Sequence, residues 1–299
     1  MVCDFFAVLF NFSAKSIIYM CKNEKTTKYK DMRNIDLKTM HEHISSIKAV
    51  REQVDILSNV KDEFDCVYSS DGLRLIQMNN RKIKSYTVKE GVKTICDNAF
   101  KDCKHLKTIE LPNSLTTIGH SAFANCKMLR DVKLPDSLQQ VGSSAFAYCT
   151  SIKEIELPKS VKVLGYKVFA HCTSLRNVDI KSQLKFIPAN CFYECTSLQN
   201  IILSHSIEVI SCAAFGFCNS LENIVLPDNL VAIDKSAFIN CTALKTISIP
   251  QSVEMIAANC FSRCTSLENV VLQNQTLQID KAAFVDCKKK VQLKSNFAA

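Results

Sequence analysis

Phenylalanine recurs at Phe100, Phe123, Phe146, Phe169, Phe192, Phe215, Phe238, Phe261 and Phe284, and every interval is 23 residues. Cysteine follows three residues later each time, at Cys103, Cys126, Cys149, Cys172, Cys195, Cys218, Cys241, Cys264 and Cys287. No insertion or deletion disturbs the register. A 23-residue unit is too short to fold alone. Nine in phase can bury their apolar faces only against one another, so the chain must stack as coils of a solenoid.

The remaining columns say how each coil is built. Leu106, Leu129 and Leu175 are followed three residues on by Ile109, Val132 and Val178, then two on by Leu111, Leu134 and Ile180. The last two positions alternate, which is strand periodicity, and β-branched residues fill the middle column. Pro112, Pro135, Pro158, Pro227 and Pro250 stand where the strand must end, because proline cannot donate to a ladder. A second short extended segment, such as SLTTIG, leads to a turn. SAFANC then fits one helical turn, with Phe and Cys on one side at i and i+3.

The units LRDVKLPDSLQQVGSSAFAYC (129–149) and LENIVLPDNLVAIDKSAFINC (221–241) resemble the BspA-like class of leucine-rich repeats. The resemblance covers residues 64–293. It implies an α/β repeat solenoid: a leucine-rich-repeat coil stack with one parallel β-sheet face, short strands and one-turn helices. The family includes bacterial surface antigens and surface-associated proteins of parasitic protists. It is linked with adhesion and protein–protein contact and supplies no catalytic residues.

Phe-x-x-Cys by itself fits a packing unit, a metal half-site or a redox centre. In register it reads as two stacked internal columns, since free cysteine is a small, readily buried hydrophobe. Adjacent rungs, about 4.8 Å apart, come near disulfide distance, but nine thiols in a row cannot all pair. Cys191 and Cys260 add Cys-x3-Cys spacings with Cys195 and Cys264, without a second ligand pair at zinc-like spacing. No metal and no cofactor is expected.

Upstream, Ile83, Tyr86, Val88 and Val92 fall in the repeat columns as an opening half-rung. CVYSSDGLRLIQM (66–78) places Asp71-Gly72 between two apolar runs, a hairpin signal that suits an N-terminal cap. Residues 35–63 read as an amphipathic helix through Met40, Ile44, Ile47, Val50, Val54, Leu57 and Val60. It either caps the stack or forms a short coiled coil, giving a monomer or a weak dimer. Residues 1–34 are an extension and linker. FFAVLFNF (5–12) is too short to span a membrane, and fits a signal peptide, cap packing or an unreliable start equally. Lys288, Lys289 and Lys290 close the last unit and block edge-to-edge growth, and residues 294–299 form a tail.

Charge divides the solenoid. Residues 81–190 carry net +9 and residues 191–280 net −5, within an overall +8. In the column after each strand Ile, Glu110, Lys133, Glu156 and Asp179 give way to Ile202, Val225, Ser248 and Val271. Asn200, Asn223 and Asn269 lie two residues before. The candidate partner-binding face is therefore Asn200, Ile202, Asn223, Val225, Asn269 and Val271, an apolar patch with a polar rim.

No phosphate loop, Rossmann glycines or nucleophile elbow is present. His171 beside Cys172 lies in a variable surface column, and a Cys–His pair needs an exposed thiolate. The expected function is a non-catalytic protein-interaction scaffold, a cell-surface adhesin or host-contact protein. The alternative is an intracellular leucine-rich-repeat adaptor. The partner is a protein of unknown identity. No small-molecule substrate is expected, and nucleic acid is disfavoured. Sixteen cysteines without paired spacings suit the cytoplasm, whereas the resemblance leans to the cell surface.

Overall fold

The computed structural model describes residues 58–287 and 292–295, all within one compact unit, residues 43–299. The chain enters through a hairpin: β1 (Asn59–Lys61) pairs antiparallel with β2 (Cys66–Ser69), and β2 with β3 (Arg74–Met78). Gly72, at φ 71°, turns β2 into β3 in a left-handed conformation that glycine adopts without a Cβ clash. The final residues of the segment expected to be helical are thus extended. Asn59–Lys61 finds backbone partners on β2, which a helix end would lack. Residues 1–57, 288–291 and 296–299 lie outside the described residues, including the rest of that segment, the N-terminal extension and the lysine triplet.

From β3 onward the chain climbs as a succession of coils whose strands pair in parallel. Two ladders form where one sheet face was expected. Short strands such as Thr94–Ile95, Thr117–Ile118, Gln140–Val141 and Val163–Leu164 continue from β3. Longer strands such as Glu154–Leu157, Asn177–Ile180 and Asn200–Ile202 make the second ladder. The offset is 20 where β3 meets Thr94–Ile95 and 23 from there on, with Ile155 opposite Val178 and Val178 opposite Ile201.

No helix occurs among the described residues, which corrects the expected one-turn helices. Ser121 and Asn125 have φ of 51° and 64°, and the equivalent residues of other coils repeat this. A right-handed helix cannot contain left-handed residues at every fourth position. Ala122, Ala124 and Cys126 donate back to Gly119, Ser121 and Phe123 in consecutive β-turns. The intervening Ser121, Phe123 and Asn125 donate forward to Ser143, Ala145 and Ala147 of the next coil, at 2.9, 2.8 and 2.8 Å. The turn therefore hydrogen-bonds along the solenoid axis.

Both internal columns are explicit. The phenylalanine rings stack face to face from Phe100 to Phe284, with centroids 5.1–5.6 Å apart and planes within 12°. Eight are fully buried, and Phe284 at the end is partly covered. Tyr86 lies over Phe100 at 5.7 Å, and Phe64 meets Tyr86 edge-on at 5.9 Å, closing the N-terminal end of the column. The Tyr86 hydroxyl bonds Asp62 Oδ2 at 2.5 Å and the Tyr68 hydroxyl.

From Cys126 on, each cysteine of the column does more than fill space. Cys126 Sγ donates to the Phe100 carbonyl at 3.1 Å, and Cys149 to Phe123 likewise. The pattern continues without a gap to Cys287 and Phe261 at 3.3 Å. A thiol is small enough for the packed interior and adds a second donor to a buried carbonyl that already accepts the N–H of its own turn.

The short-strand ladder is broken once, between Val163–Leu164 and Phe186–Ile187. Gly119, Gly142 and Gly165 donate their N–H groups to Ile95, Ile118 and Val141, and Ser211 donates to Ile187. Pro188 occupies the same column between them and has no N–H.

In this column the early coils also approach closely. A Cβ on Gly165 would stand 2.6 Å from Ser143 Cα, and one on Gly142 2.6 Å from Gly119 C. Gly165→Ala should therefore destabilise by about 3 kcal/mol, the upper range for overpacking, because backbone rather than a side chain must move. Ala257→Gly, at the equivalent position of a later coil, should cost under about 1 kcal/mol. Urea denaturation of both variants checks the contrast.

Candidate functional site

Outward-facing columns of the long strands form the surface on which variable residues meet. Buried Ile155, Val178 and Ile201 hold these strands down, so their neighbours on either side point to solvent. On the early coils this face is polar and internally paired. Asn177 Nδ2 donates to Glu154 Oε1 at 2.9 Å, and Asn200 Nδ2 to Asn177 Oδ1 at 2.9 Å. Lys181 Nζ sits 2.7 Å from Glu156 Oε2, and the Glu156 hydrogen bond raises the Lys181 pKa.

The face changes at Ile202, whose side chain is 64% exposed, and Val225 is 83% exposed on the next coil. Asn200 and Asn223 are exposed beside them. Val271 and Asn269 stand apart from this pair. Ser248 intervenes, both are only half-exposed, and Val271 lies opposite Lys294 of the terminal strand Gln292–Ser295. The structure thus brings together four of the six sequence-derived residues.

Ile202 borders a discontinuity, and Val225 lies within it. The long strands pair as Ser85–Thr87 to Asp131–Val132, then Glu154–Leu157 to Asn200–Ile202, then Thr246–Ile249 to Gln292–Ser295. Residues 221–227 form no strand, and among the described residues the backbone of Asn223–Leu226 makes no ladder bond to either neighbour. Ile224 and Leu226 remain buried, so the coil keeps its core while its outer backbone stays unpaired. The local sequence LENIVLPD does not announce this, since it matches its neighbours column by column.

A second, half-buried aromatic cluster escaped the sequence reading. On the turn side, Tyr148 stacks on His171 at 4.2 Å, His171 meets Tyr193 edge-on at 5.7 Å, and Tyr193 meets Phe217 at 5.3 Å. The signal was available: Tyr148, His171 and Phe217 share the column just before cysteine. His171 Nδ1 lies 2.9 Å from Glu194 Oε2. Its sequence neighbour Cys172 points inward to the Phe146 carbonyl at 3.2 Å, so the two do not form a nucleophile–base pair.

The fourteen described cysteines are free thiols. Burial pushes the pKa of Cys172 up to about 12, and it also drives those of Cys149, Cys195 and Cys241 well up. Such groups stay protonated, which suits donation to a carbonyl and not nucleophilic attack. Among the described residues no group of three or more His, Cys, Asp or Glu is placed to hold a metal. No helix there is long and apolar enough to cross a membrane.

The BspA-type leucine-rich repeat region model matches residues 77–199 and 185–298, with six copies. A leucine-rich repeat protein from Bacteroides ovatus is 30% identical, with a TM-score of 0.70 over 79% of this chain. The match covers 62% of that protein, so the chain spans under two thirds of its length. A leucine-rich repeat protein from Eubacterium ventriosum is 23% identical over 78% of this chain and 50% of its own, at a TM-score of 0.49. No curated protein matches this chain significantly. Repeats of this type generally form non-enzymatic scaffolds that bind proteins. Period, ladders and family match agree, and the chain belongs to the BspA-type leucine-rich repeat family.

Proposed function

We propose that the protein is a non-catalytic scaffold that docks a protein partner on the face around Ile202 and Val225. The observation that carries this is the coincidence of two large exposed apolar side chains with a coil whose outer backbone is unpaired. A partner there buries apolar surface and meets free backbone donors and acceptors in one contact. Asn200 and Asn223 form the polar rim, and Asn269 and Val271 extend the face only if the partner reaches two coils further. Contact of this kind fits an adhesin or host-contact protein at a cell surface, the role linked with the family.

A second reading, an intracellular adaptor using the same face, is favoured by the free thiols, which suit a reducing compartment. Surface biotinylation with fractionation separates the two.

The site is tested by Ile202→Asp with Val225→Asp, compared with wild type in quantitative proximity labelling in the native cell. A central interface residue contributes about 2 kcal/mol or more, so loss of either one alone should lower the partner roughly thirtyfold, and the double variant should lower it further. An unchanged partner set, with an unchanged circular dichroism spectrum, rules out this face.

A further inference from the structure

The basic half of the solenoid is organised, and its organisation defines a second binding surface. Lys84, Lys107, Arg130, Lys153 and Arg176 occupy one column, immediately before the outward strand of five successive coils, and all five are exposed. Backbone bonds tie this column in two segments: Lys107 N donates to the Lys84 carbonyl at 2.7 Å and Arg130 to Lys107 at 3.0 Å, then Arg176 to Lys153 at 2.7 Å, while among the described residues the ladder is interrupted between Arg130 and Lys153. The cations therefore share one repeat column, spaced about 4.8 Å apart within each paired segment and roughly 19 Å from end to end. None of the five forms an ion pair among the described residues. Exposed Lys104 and Lys127 widen the row on its upstream side. Beyond Arg176 the column changes to Gln199, Glu222, Lys245 and Glu268, and there Lys245 is neutralised by Glu222 at 2.7 Å.

We propose that this row is a track for a linear anionic polysaccharide whose sulfate or carboxylate groups meet successive coils. The coil stack sets the backbone spacing of the cations before the ligand arrives, so only their side chains remain to be ordered on binding. One pyranose ring advances an extended glycan by nearly one coil spacing, so charge meets charge along the whole row. Arg130 and Arg176 alternate with lysine and offer planar forks suited to oxyanions.

The surroundings favour this polyanion over nucleic acid. Asp131 and Glu154 are exposed in the adjoining column, which confines the ligand to a single narrow chain. A duplex, with a charge every ~1.7 Å along two strands, would lay phosphates on those carboxylates. Single strands bind through bases stacked on free aromatic faces. Tyr148 and His171 on the turn side have their facing surfaces taken by each other at 4.2 Å.

The test uses the full chain and a fluorescent heparin oligosaccharide, read by anisotropy across a salt series. Binding should weaken with a log–log salt slope of about −3.5, from about 0.7 per cation for five cations. Arg130→Gln with Arg176→Gln should reduce affinity at least tenfold and flatten the slope by about 1.4. Lys235→Gln with Lys281→Gln, outside the row, should change neither. Lys107→Gln with Lys153→Gln carries the same expectation as the arginine pair, should that pair perturb the circular dichroism spectrum. Failure of the wild-type chain to bind heparin, unaltered affinity in a folded row variant, or equal affinity for single-stranded DNA of matched charge each overturns the proposal.

Discussion

Raising the pH should unfold this protein cooperatively near pH 10. Cys126, Cys149, Cys172, Cys191, Cys195, Cys218, Cys241, Cys260 and Cys264 are buried, and burial raises the pKa of each above the ordinary 9.0. Below pH 9 both folded and unfolded chains keep these protons, and the stabilisation is complete. Above it only the unfolded thiols ionise. Stability then drains until the folded thiols ionise too, which for Cys172 is at about 12. One pH unit costs about 1.4 kcal/mol per thiol, and nine thiols together cost about 12 kcal/mol. Domains are commonly stable by about 5–15 kcal/mol, so one unit nearly exhausts the reserve.

Thiolate absorbance and far-ultraviolet circular dichroism should change together in a single step. Thiols that titrate one by one near pH 9 while the fold persists to pH 11 would show that the cysteine column is open to water. Cys172→Ala with Cys195→Ala should shift the transition to higher pH, relative to each protein's stability at pH 7, because fewer buried thiols are linked to unfolding.

The arrangement of the solenoid was legible because a strict period exposes every buried column at once. Leucine, isoleucine, phenylalanine and cysteine each repeat, and each column is buried. The turn was misread because Phe and Cys at i and i+3 suit a helical turn and consecutive β-turns equally. What decides is the left-handed backbone of the residue before each cysteine. Asp102, Asn125 and Asn240 hint at it, since such residues tolerate φ above zero. Tyr148, Glu194, Phe217 and Arg263 obscure it, because there the bonds to the next coil override intrinsic preference.

A serine column was present in the sequence and passed over. Ser114, Ser137, Ser160, Ser206 and Ser252 share one register. Each hydroxyl bonds a carbonyl of the preceding coil, as Ser137 Oγ does with Leu115 at 2.7 Å. Half of the candidate face was equally legible, through the change from charged to apolar residues at Ile202. The unpaired backbone of residues 221–227 was not, because pairing depends on how neighbouring coils lie and not on the residues of one coil.

Phe169→Ala should destabilise the chain by about 3–5 kcal/mol and split its unfolding into two transitions. The ring of Phe169 stacks on Phe146 and on Phe192, at 5.6 Å each, so truncation removes contacts from both faces and leaves a cavity. Its coil also lies at the Pro188 seam, where the short-strand ladder is already interrupted. Coupling between coils is local in a solenoid, so weakening the stack at its thinnest link isolates the coils before it from those after it. Phe123→Ala, away from the seam, should cost a similar amount without dividing the transition. Phe284→Ala should cost least, since among the described residues that ring stacks on Phe261 alone and is partly exposed. Urea denaturation followed by circular dichroism, with hydrogen exchange to assign each step, distinguishes the three. A single transition for Phe169→Ala with a loss below about 1.5 kcal/mol would mean that the phenylalanine column does not couple the two halves.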